Sequence, residues 1–124
     1  MDEGTRKEAG SAAENAALKF LAARGLQLVA RNYRCRGGEI DLVMLDGETL
    51  ALIEVRYRSS DAFGGAAASV TWHKQRRIVF AARHLLAMRR ELNRYPARFD
   101  VVAVSGNGEK PAIEWLKAAF FLER

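Results

Sequence analysis

One stretch of the chain, residues 37–58, combines two apolar runs with carboxylates whose spacing could support chemistry. The runs flank Asp46-Gly47, a dipeptide that tolerates the positive φ angles of tight turns, and together they predict a β-hairpin. Because side chains alternate along a strand, one face is apolar throughout, comprising Ile40, Leu42, Met44, Ala51, Ile53, Val55 and Tyr57. The other face is apolar near the turn and carries Glu39, Asp41, Glu54 and Arg56 at its far end.

The register of this hairpin decides which carboxylates meet. A loop of Asp46-Gly47 alone places Glu39 opposite Glu54, with Asp41 as a diagonal neighbour. A four-residue loop from Asp46 to Thr49 places Asp41 directly opposite Glu54, whereas a three-residue loop would put them on opposite faces. In either even register two carboxylates face each other with Cβ atoms about 5 Å apart, which requires a counter-cation. That cation is Arg56, another basic side chain or a metal ion.

A divalent cation between these carboxylates would suit phosphodiester chemistry. Magnesium takes one or two protein carboxylates together with waters and substrate phosphates. It can polarise a scissile phosphate and lower the pKa of an attacking water. Arg56 follows Glu54 by two residues and projects to the same side, where it could contact the phosphate or the water.

The overall composition is that of an ordinary soluble protein with a basic surplus. Lys and Arg number 20 against 15 Asp and Glu, and the net charge of +5 favours a polyanionic partner. The single cysteine, Cys35, excludes an internal disulfide and is expected to be inert. The N-terminus lacks a signal-peptide pattern, so we expect a cytoplasmic protein with one domain over residues 1–124 and a frayed tail at residues 1–10.

Hydrophobic periodicity predicts the elements that position the hairpin. We expect helices over residues 11–24 and from an N-cap at Thr71 to about Asn93, and strands over residues 26–33, 99–105 and 112–117. Residues 59–69 and 105–108 are predicted as a loop and a turn, and Phe120, Phe121 and Leu122 are expected to close the core or an interface. The fold class is therefore α/β, a mixed sheet flanked by helices in the order αβββαβ(β), with the fourth strand parallel to the third.

The second helix is strongly basic, which suits contact with phosphates. Its predicted extent and the next residue carry one acid, Glu91, and seven cations: Lys74, Arg76, Arg77, Arg83, Arg89, Arg90 and Arg94. His73 and His84 do not have a metal-ligand spacing on one helix face, so both are interpreted as structural or surface residues.

Five segments together carry a family resemblance. They are Glu14, residues 38–42 (GEIDL), residues 54–58 (EVRYR), Lys74-Gln75 and residues 98–102 (RFDVV). From about Gly10 to Phe120 the chain resembles the YraN-like bacterial family, which is similar in fold to the PD-(D/E)XK nucleases and particularly to the archaeal Holliday-junction resolvases.

The resemblance implies a restriction-endonuclease-like core and a set of site residues. Glu14, Asp41 and Glu54 would bind Mg²⁺ or Mn²⁺, and Arg56 stands where the motif has a lysine. Asp41, Glu54 and Arg56 are the catalytic candidates. The candidates for nucleic-acid binding, with DNA as the expected partner, are Arg34, Arg36, Arg58, Lys74, Gln75, Arg76 and Arg77. Resolvases of this fold usually work as dimers, so the resemblance also implies a homodimer.

Arg56 is where the chain departs from the nuclease motif. Arginine holds its proton too tightly to act as a base, although it can stabilise phosphoryl charge through bidentate hydrogen bonds. Lys74 could supply an ammonium instead, or Arg56 could simply neutralise Glu39 or Glu54. Three functions follow: a metal-dependent endonuclease acting on branched or damaged DNA, a non-catalytic nucleic-acid-binding module, and a protein-interaction subunit that uses Trp115, Phe120 and Phe121.

Overall fold

The described part of the chain forms one mixed sheet flanked by helices. The computed structural model describes residues 3–58, 70–106 and 111–120. Its elements are α1 (Glu3–Ala23), β1 (Gln27–Cys35), β2 (Gly38–Asp46), β3 (Thr49–Arg58), α2 (Trp72–Met88), a 3-10 helix (Arg90–Arg94), β4 (Ala97–Ser105) and β5 (Ala112–Phe120). Within these ranges five strands pair in the order β1-β2-β3-β4-β5, with β3 and β4 parallel and the other neighbours antiparallel. This confirms the predicted α/β class and the order αβββαββ.

The first helix is longer than its apolar periodicity indicated. Helix α1 already begins at Glu3, within the stretch expected to be a frayed tail. Glu, Lys, Arg and Ala are good helix formers, so these residues extend the helix without an apolar stripe. The helix ends as predicted before Gly25, whose φ of 93° is the left-handed conformation that glycine adopts readily.

The sheet is covered on both faces, which explains why the hairpin is apolar on both sides. Helix α1 packs on the face that includes Leu42, Met44, Ala51 and Ile53. Helix α2 packs on the opposite face, against Val43, Leu50 and Leu52. Ile40 differs from the prediction, because it packs into the α2 side rather than with Leu42. The change falls just beyond Leu42↔Ile53, the pair at which the β2–β3 ladder ends.

Helix α2 begins at the predicted cap but ends earlier than predicted. The Thr71 hydroxyl accepts a hydrogen bond from the Lys74 backbone N–H at 3.2 Å. The α-helix stops at Met88, and the chain tightens into the 3-10 helix Arg90–Arg94, which buries Leu92. The Asn93 side-chain amide donates to the Leu86 carbonyl at 3.0 Å and satisfies one of the free carbonyls at the helix end.

The last two strands combine a fully buried strand with an edge strand. Residues Phe99 to Val104 of β4 are all buried or nearly so, as the continuous apolar run predicted. Strand β5 continues to Phe120, beyond the predicted end at Lys117, and its register shifts opposite Asp100. At this irregularity Ala118 adopts a φ of 52°, and its backbone N–H donates to Asp100 Oδ1 at 2.9 Å.

Several predictions concern parts of the chain outside the described residues. They are the loop at residues 59–69, Asn107 and Gly108 of the turn, and Phe121 and Leu122. Among the helices that the structure does describe, none combines the length and the apolar character needed to span a bilayer.

Candidate active site

The hairpin register brings Asp41 and Glu54 together. Leu45 pairs with Leu50 and Leu42 pairs with Ile53, so Asp41 and Glu54 are the next residues along the two strands. This is the second of the two predicted registers, with the strands joined through Gly47 and Glu48. The ladder ends here, and the Asp41 carboxylate accepts the Val55 backbone N–H at 2.8 Å. The Asp41 side chain thus accepts a hydrogen bond from the backbone N–H of Val55 at the point where β2 and β3 stop pairing.

Glu54 is a buried carboxylate with a cation from α2. Glu54 is only 2% exposed, and Lys74 Nζ lies 2.7 Å from Glu54 Oε1. Arg56 Nη1 is 3.9 Å from the same oxygen, which is a loose contact. The principal counter-ion of Glu54 is therefore Lys74, because its ammonium lies within hydrogen-bond distance.

Asp41 carries an unusually basic carboxylate. Removal from water, followed by the negative charge of Glu54, raises the pKa of Asp41 to about 8 from its ordinary value of 3.8. A hydrogen bond with the Glu54 side chain and the charge of Glu14 raise this pKa further, while the Val55 N–H lowers it. Asp41 therefore keeps its proton near neutral pH unless a cation binds in place of that proton.

Glu14 lies close enough to influence this pair but is engaged elsewhere. It comes from α1, and its Oε1 atom accepts a hydrogen bond from Arg31 Nε on β1 at 3.2 Å. Across residues 3–58, 70–106 and 111–120, no three Asp, Glu, His or Cys side chains form a group that could hold a metal ion. Among the three predicted metal ligands, Asp41 and Glu54 are in mutual contact, whereas Glu14 contributes its charge from a separate ion pair.

The two carboxylates nevertheless fit a divalent ion. Magnesium commonly uses only one or two protein carboxylates, and water and substrate phosphate complete its shell. The raised pKa of the partly buried Asp41 beside Glu54 indicates that this pair of side chains lacks positive charge. An ion bound here would supply that charge, and Asp41 and Glu54 would hold it.

Arg56 is only loosely paired with the carboxylates of the site. Its side chain is about one-third exposed, and its Nε atom is buried without a hydrogen-bond partner in the described part of the chain. Glu39, the other acid that Arg56 could have neutralised, pairs instead with Arg34 Nε at 3.3 Å.

The residues predicted to contact nucleic acid lie on β1 and the turn after it, on β3 and in the first turns of α2. Arg34 and Arg36 are exposed at the end of β1 and in the turn that follows it, and the side chain of Arg58 lies outside the described residues. Gln75 donates to the Val70 carbonyl at 3.1 Å, so it holds the start of α2. Lys74 and Arg77 line a cavity of about 240 Å³ together with Glu39, Thr71, His73 and Ile78.

The remaining sequence candidates have structural partners. His84 Nδ1 hydrogen-bonds with the Tyr33 hydroxyl. Cys35 is partly buried against the core on the α2 side. Trp115 donates to Asp100 Oδ2 at 3.1 Å, and Phe120 stacks on Phe99 with ring centroids 4.9 Å apart. Two of the three residues proposed for a protein interaction are therefore used within the fold.

Two features are not predicted by the sequence patterns. One is the ion pair of Arg31 with Glu14, for which the sequence offers only a basic side chain on a strand beside the hairpin. The other is the exposure of Trp72 and Phe80 on α2, whose spacing of eight residues places them on neighbouring parts of one helix surface.

Comparison with known proteins places the chain among bacterial relatives. Residues 13–104 match the uncharacterised protein family UPF0102. A UPF0102 protein of Pseudomonas putida KT2440 is 52% identical over 122 residues, which cover 97% of this chain and 98% of the relative. A UPF0102 protein of Alcanivorax borkumensis is 45% identical over 120 residues, or 96% of each chain. These matches confirm the YraN-like resemblance, and the chain belongs to the UPF0102 family.

Proposed function

We propose that this protein is a metal-dependent endonuclease that hydrolyses DNA phosphodiester bonds at Asp41 and Glu54. The observation that carries the proposal is the contact between these two carboxylates beside the first turn of a basic helix. Helix α2 contains Lys74, Arg76, Arg77 and Arg83 and no Asp or Glu. A carboxylate pair next to such a cationic surface suits a reaction on a polyanionic substrate.

Each of the two carboxylates has one oxygen bound by a different partner in the fold. The Val55 N–H holds one oxygen of Asp41, and Lys74 holds one oxygen of Glu54, so each carboxylate keeps a second oxygen for an ion. A bound Mg²⁺ or Mn²⁺ would polarise the scissile phosphate and lower the pKa of the attacking water.

Lys74 and Arg56 would serve the phosphate. The Lys74 ammonium has three donors and uses one on Glu54, so it can orient a water or a phosphate oxygen with the others. The Arg56 guanidinium can stabilise the negative charge that develops on the phosphate. Lys74 would thus orient the water or the phosphate, which is the role of the lysine that the nuclease motif has in place of Arg56.

The test is a cleavage assay on fork, junction, single-stranded and duplex DNA with Mg²⁺ or Mn²⁺. We expect Asp41→Asn and Glu54→Gln to abolish cleavage, because each leaves one charged carboxylate for the ion. Glu48→Gln is the matched control, since Glu48 is an exposed acid in the β2–β3 turn, away from Asp41 and Glu54. Cleavage that survives Glu54→Gln would contradict the proposed site.

The Lys74–Glu54 contact favours a second candidate, a nucleic-acid-binding protein that does not cut. In that case the ammonium permanently takes the place of a metal ion. The wild type would then show no Mn²⁺ binding by calorimetry, and Lys74→Met would acquire it. The endonuclease proposal expects the wild type itself to bind Mn²⁺ and expects Glu54→Gln to weaken that binding.

A further inference from the structure

The outer surface of α2 carries an aromatic and basic strip that the active site does not use. Trp72 is 65% exposed and Phe80 is 53% exposed, which is unusual for two large aromatic residues on one helix. Arg76 lies midway between them in sequence, and its guanidinium carbon is 4.9 Å from the Trp72 ring centroid. The helical rise separates Trp72 from Phe80 by about 12 Å along the axis. We refer to Trp72, Arg76 and Phe80 as the aromatic strip.

A groove runs beside the aromatic strip. It has a volume of about 340 Å³, and Gln75, Val79, Arg83 and Phe120 complete its lining. The Phe80 ring packs close to Gly37: a Cβ atom built on that glycine would lie only 3.3 Å from the ring. Phe80 is therefore supported from below by the turn between β1 and β2 while about half of its surface stays exposed.

We propose that the aromatic strip stacks the unpaired bases of a nucleic-acid strand that leaves the active site. Aromatic rings offer a sequence-independent platform for base faces, and interleaved arginines add phosphate contacts and cation–π stacking. A duplex keeps its base faces stacked inside, so only a single-stranded segment can use such a platform. The absence of any acidic residue from the α2 sequence favours a polyanion over a basic protein partner.

The position of the strip links it to the reaction. Lys74, which binds Glu54, follows Trp72 by two residues, which is about 3 Å along the helix axis and about 200° around it, so the two side chains leave the first turn of α2 on different sides. A strand held at Asp41 and Glu54 would pass around the N-terminal end of α2 to reach Trp72 on its other side. The inference rests on the proposed function and narrows its substrate class to DNA with a single-stranded segment beside the scissile bond.

The experiment measures binding without metal, so that it is independent of cleavage. The probe is a labelled oligothymidine of about 16 nucleotides, enough to cover one site, compared with a duplex of equal length. We expect Trp72→Ala to weaken oligothymidine binding about 5- to 150-fold, the range for loss of one stacked base, and to leave duplex binding unchanged. Trp72→Phe should retain most of the affinity.

Two further variants test whether the loss of binding is specific to the aromatic ring of Trp72. Met88→Ala is the matched control, because Met88 is 69% exposed at the other end of α2 and should not affect binding. Trp72→Leu keeps the apolar bulk without an aromatic face and should lose affinity as Trp72→Ala does. Trp72 and Trp115 are the two tryptophans of the chain, so quenching of fluorescence by oligothymidine in the wild type should disappear in Trp72→Phe.

The outcomes separate this inference from the endonuclease proposal. If Trp72→Ala and the wild type bind oligothymidine alike, the stacking surface is refuted, and cleavage at Asp41 and Glu54 can still stand. If Trp72→Ala loses single-strand affinity selectively and no metal supports cleavage, the stacking surface stands and the endonuclease proposal fails. If the wild type binds no oligonucleotide at low salt, both fail, and the exposed strip would instead serve a protein partner.

Discussion

Asp41 shows how burial beside a second carboxylate makes an acid keep its proton inside a fold. It lies where the β2–β3 ladder ends, its carboxylate receives the Val55 N–H, and its neighbour Glu54 is buried with Lys74. One backbone donor and one ammonium do not offset two carboxylates withdrawn from water, so the pKa of Asp41 rises to about 8. Such perturbed carboxylates are concentrated at functional sites.

This pKa has a direct consequence for the pH dependence of stability. Asp41 keeps its proton in the folded state up to about pH 8 but loses it near 3.8 when unfolded. Between these values the folded state binds more protons, so the free energy of unfolding should fall as pH rises, by at most about 1.4 kcal/mol per pH unit. Urea denaturation from pH 4 to 9 should show this fall in the wild type but not in Asp41→Asn.

The Asp41→Asn variant should therefore match the wild type near pH 4 and exceed its stability at pH 8. Added Mg²⁺ should stabilise the wild type at pH 8 and leave Asp41→Asn nearly unaffected, because binding requires both carboxylates. Glu48→Gln, an exposed change in the β2–β3 turn, serves as the control. Parallel stability curves for the wild type and Asp41→Asn would contradict the assigned pKa.

At the scale of elements, the site depends on how closely α2 lies on β2. Gly38 permits this approach, since a Cβ atom built there would lie 2.2 Å from the Arg77 carbonyl oxygen and 3.0 Å from the Ala81 backbone nitrogen. The same close contact lets Lys74, one turn before Ile78, reach Glu54 on β3. Gly38, the first residue of β2, therefore helps to position the cation of the site.

Gly38→Ala should destabilise the protein by about 1–3 kcal/mol, because backbone atoms of α2 must move away from the added methyl group. Urea denaturation measures the change, and weaker Mn²⁺ binding or altered activity should accompany it as Lys74 shifts. Gly10→Ala is the matched control: nothing lies within 4 Å of a Cβ there, and the residue is helical. That variant should be about 0.5–1 kcal/mol more stable. Equal effects at the two positions would contradict the close-packing explanation.

At the scale of the whole molecule, a buried acid joins the hairpin turn to the two C-terminal strands. Asp100 is fully buried and accepts hydrogen bonds from Arg98, the Trp115 indole and the Ala118 N–H. Arg98 also bonds Asp46 beside the hairpin turn at 2.7 Å. Asp46 lies five residues from Asp41, or about 17 Å along β2, so this network supports the sheet away from the active site.

Asp100→Asn should destabilise the protein by about 3–5 kcal/mol, because it leaves the Arg98 charge partly unpaired and turns one acceptor into a donor. Asp46→Asn removes a partly exposed partner of the same guanidinium and should cost only about 0–1 kcal/mol. Thermal and urea unfolding of both variants measure the difference. A loss from Asp46→Asn as large as that from Asp100→Asn would show that burial does not govern this network.

Local patterns in the chain were sufficient to predict much of the scaffold. The period of two in residues 37–58 predicted the hairpin, and the apolar run at Phe99 to Val104 predicted a strand buried on both faces. These predictions succeed because side-chain periodicity reflects the geometry of a single element. The candidate carboxylates could also be named, since Asp41, Glu54 and Arg56 lie on the strands whose pattern is clear.

The partners of those residues depended on tertiary packing. Two registers were compatible with the hairpin sequence, and both place the same side chains on the same faces, so the face pattern could not choose between them. The folded sheet pairs Leu42 with Ile53 and thereby joins Asp41 to Glu54 rather than Glu39 to Glu54. Lys74 reaches Glu54, and Arg31 reaches Glu14, across many intervening residues, so no short-range pattern could assign these pairs. A carboxylate is a property of the sequence, whereas its counter-ion, its burial and its pKa arise only when distant elements pack around it.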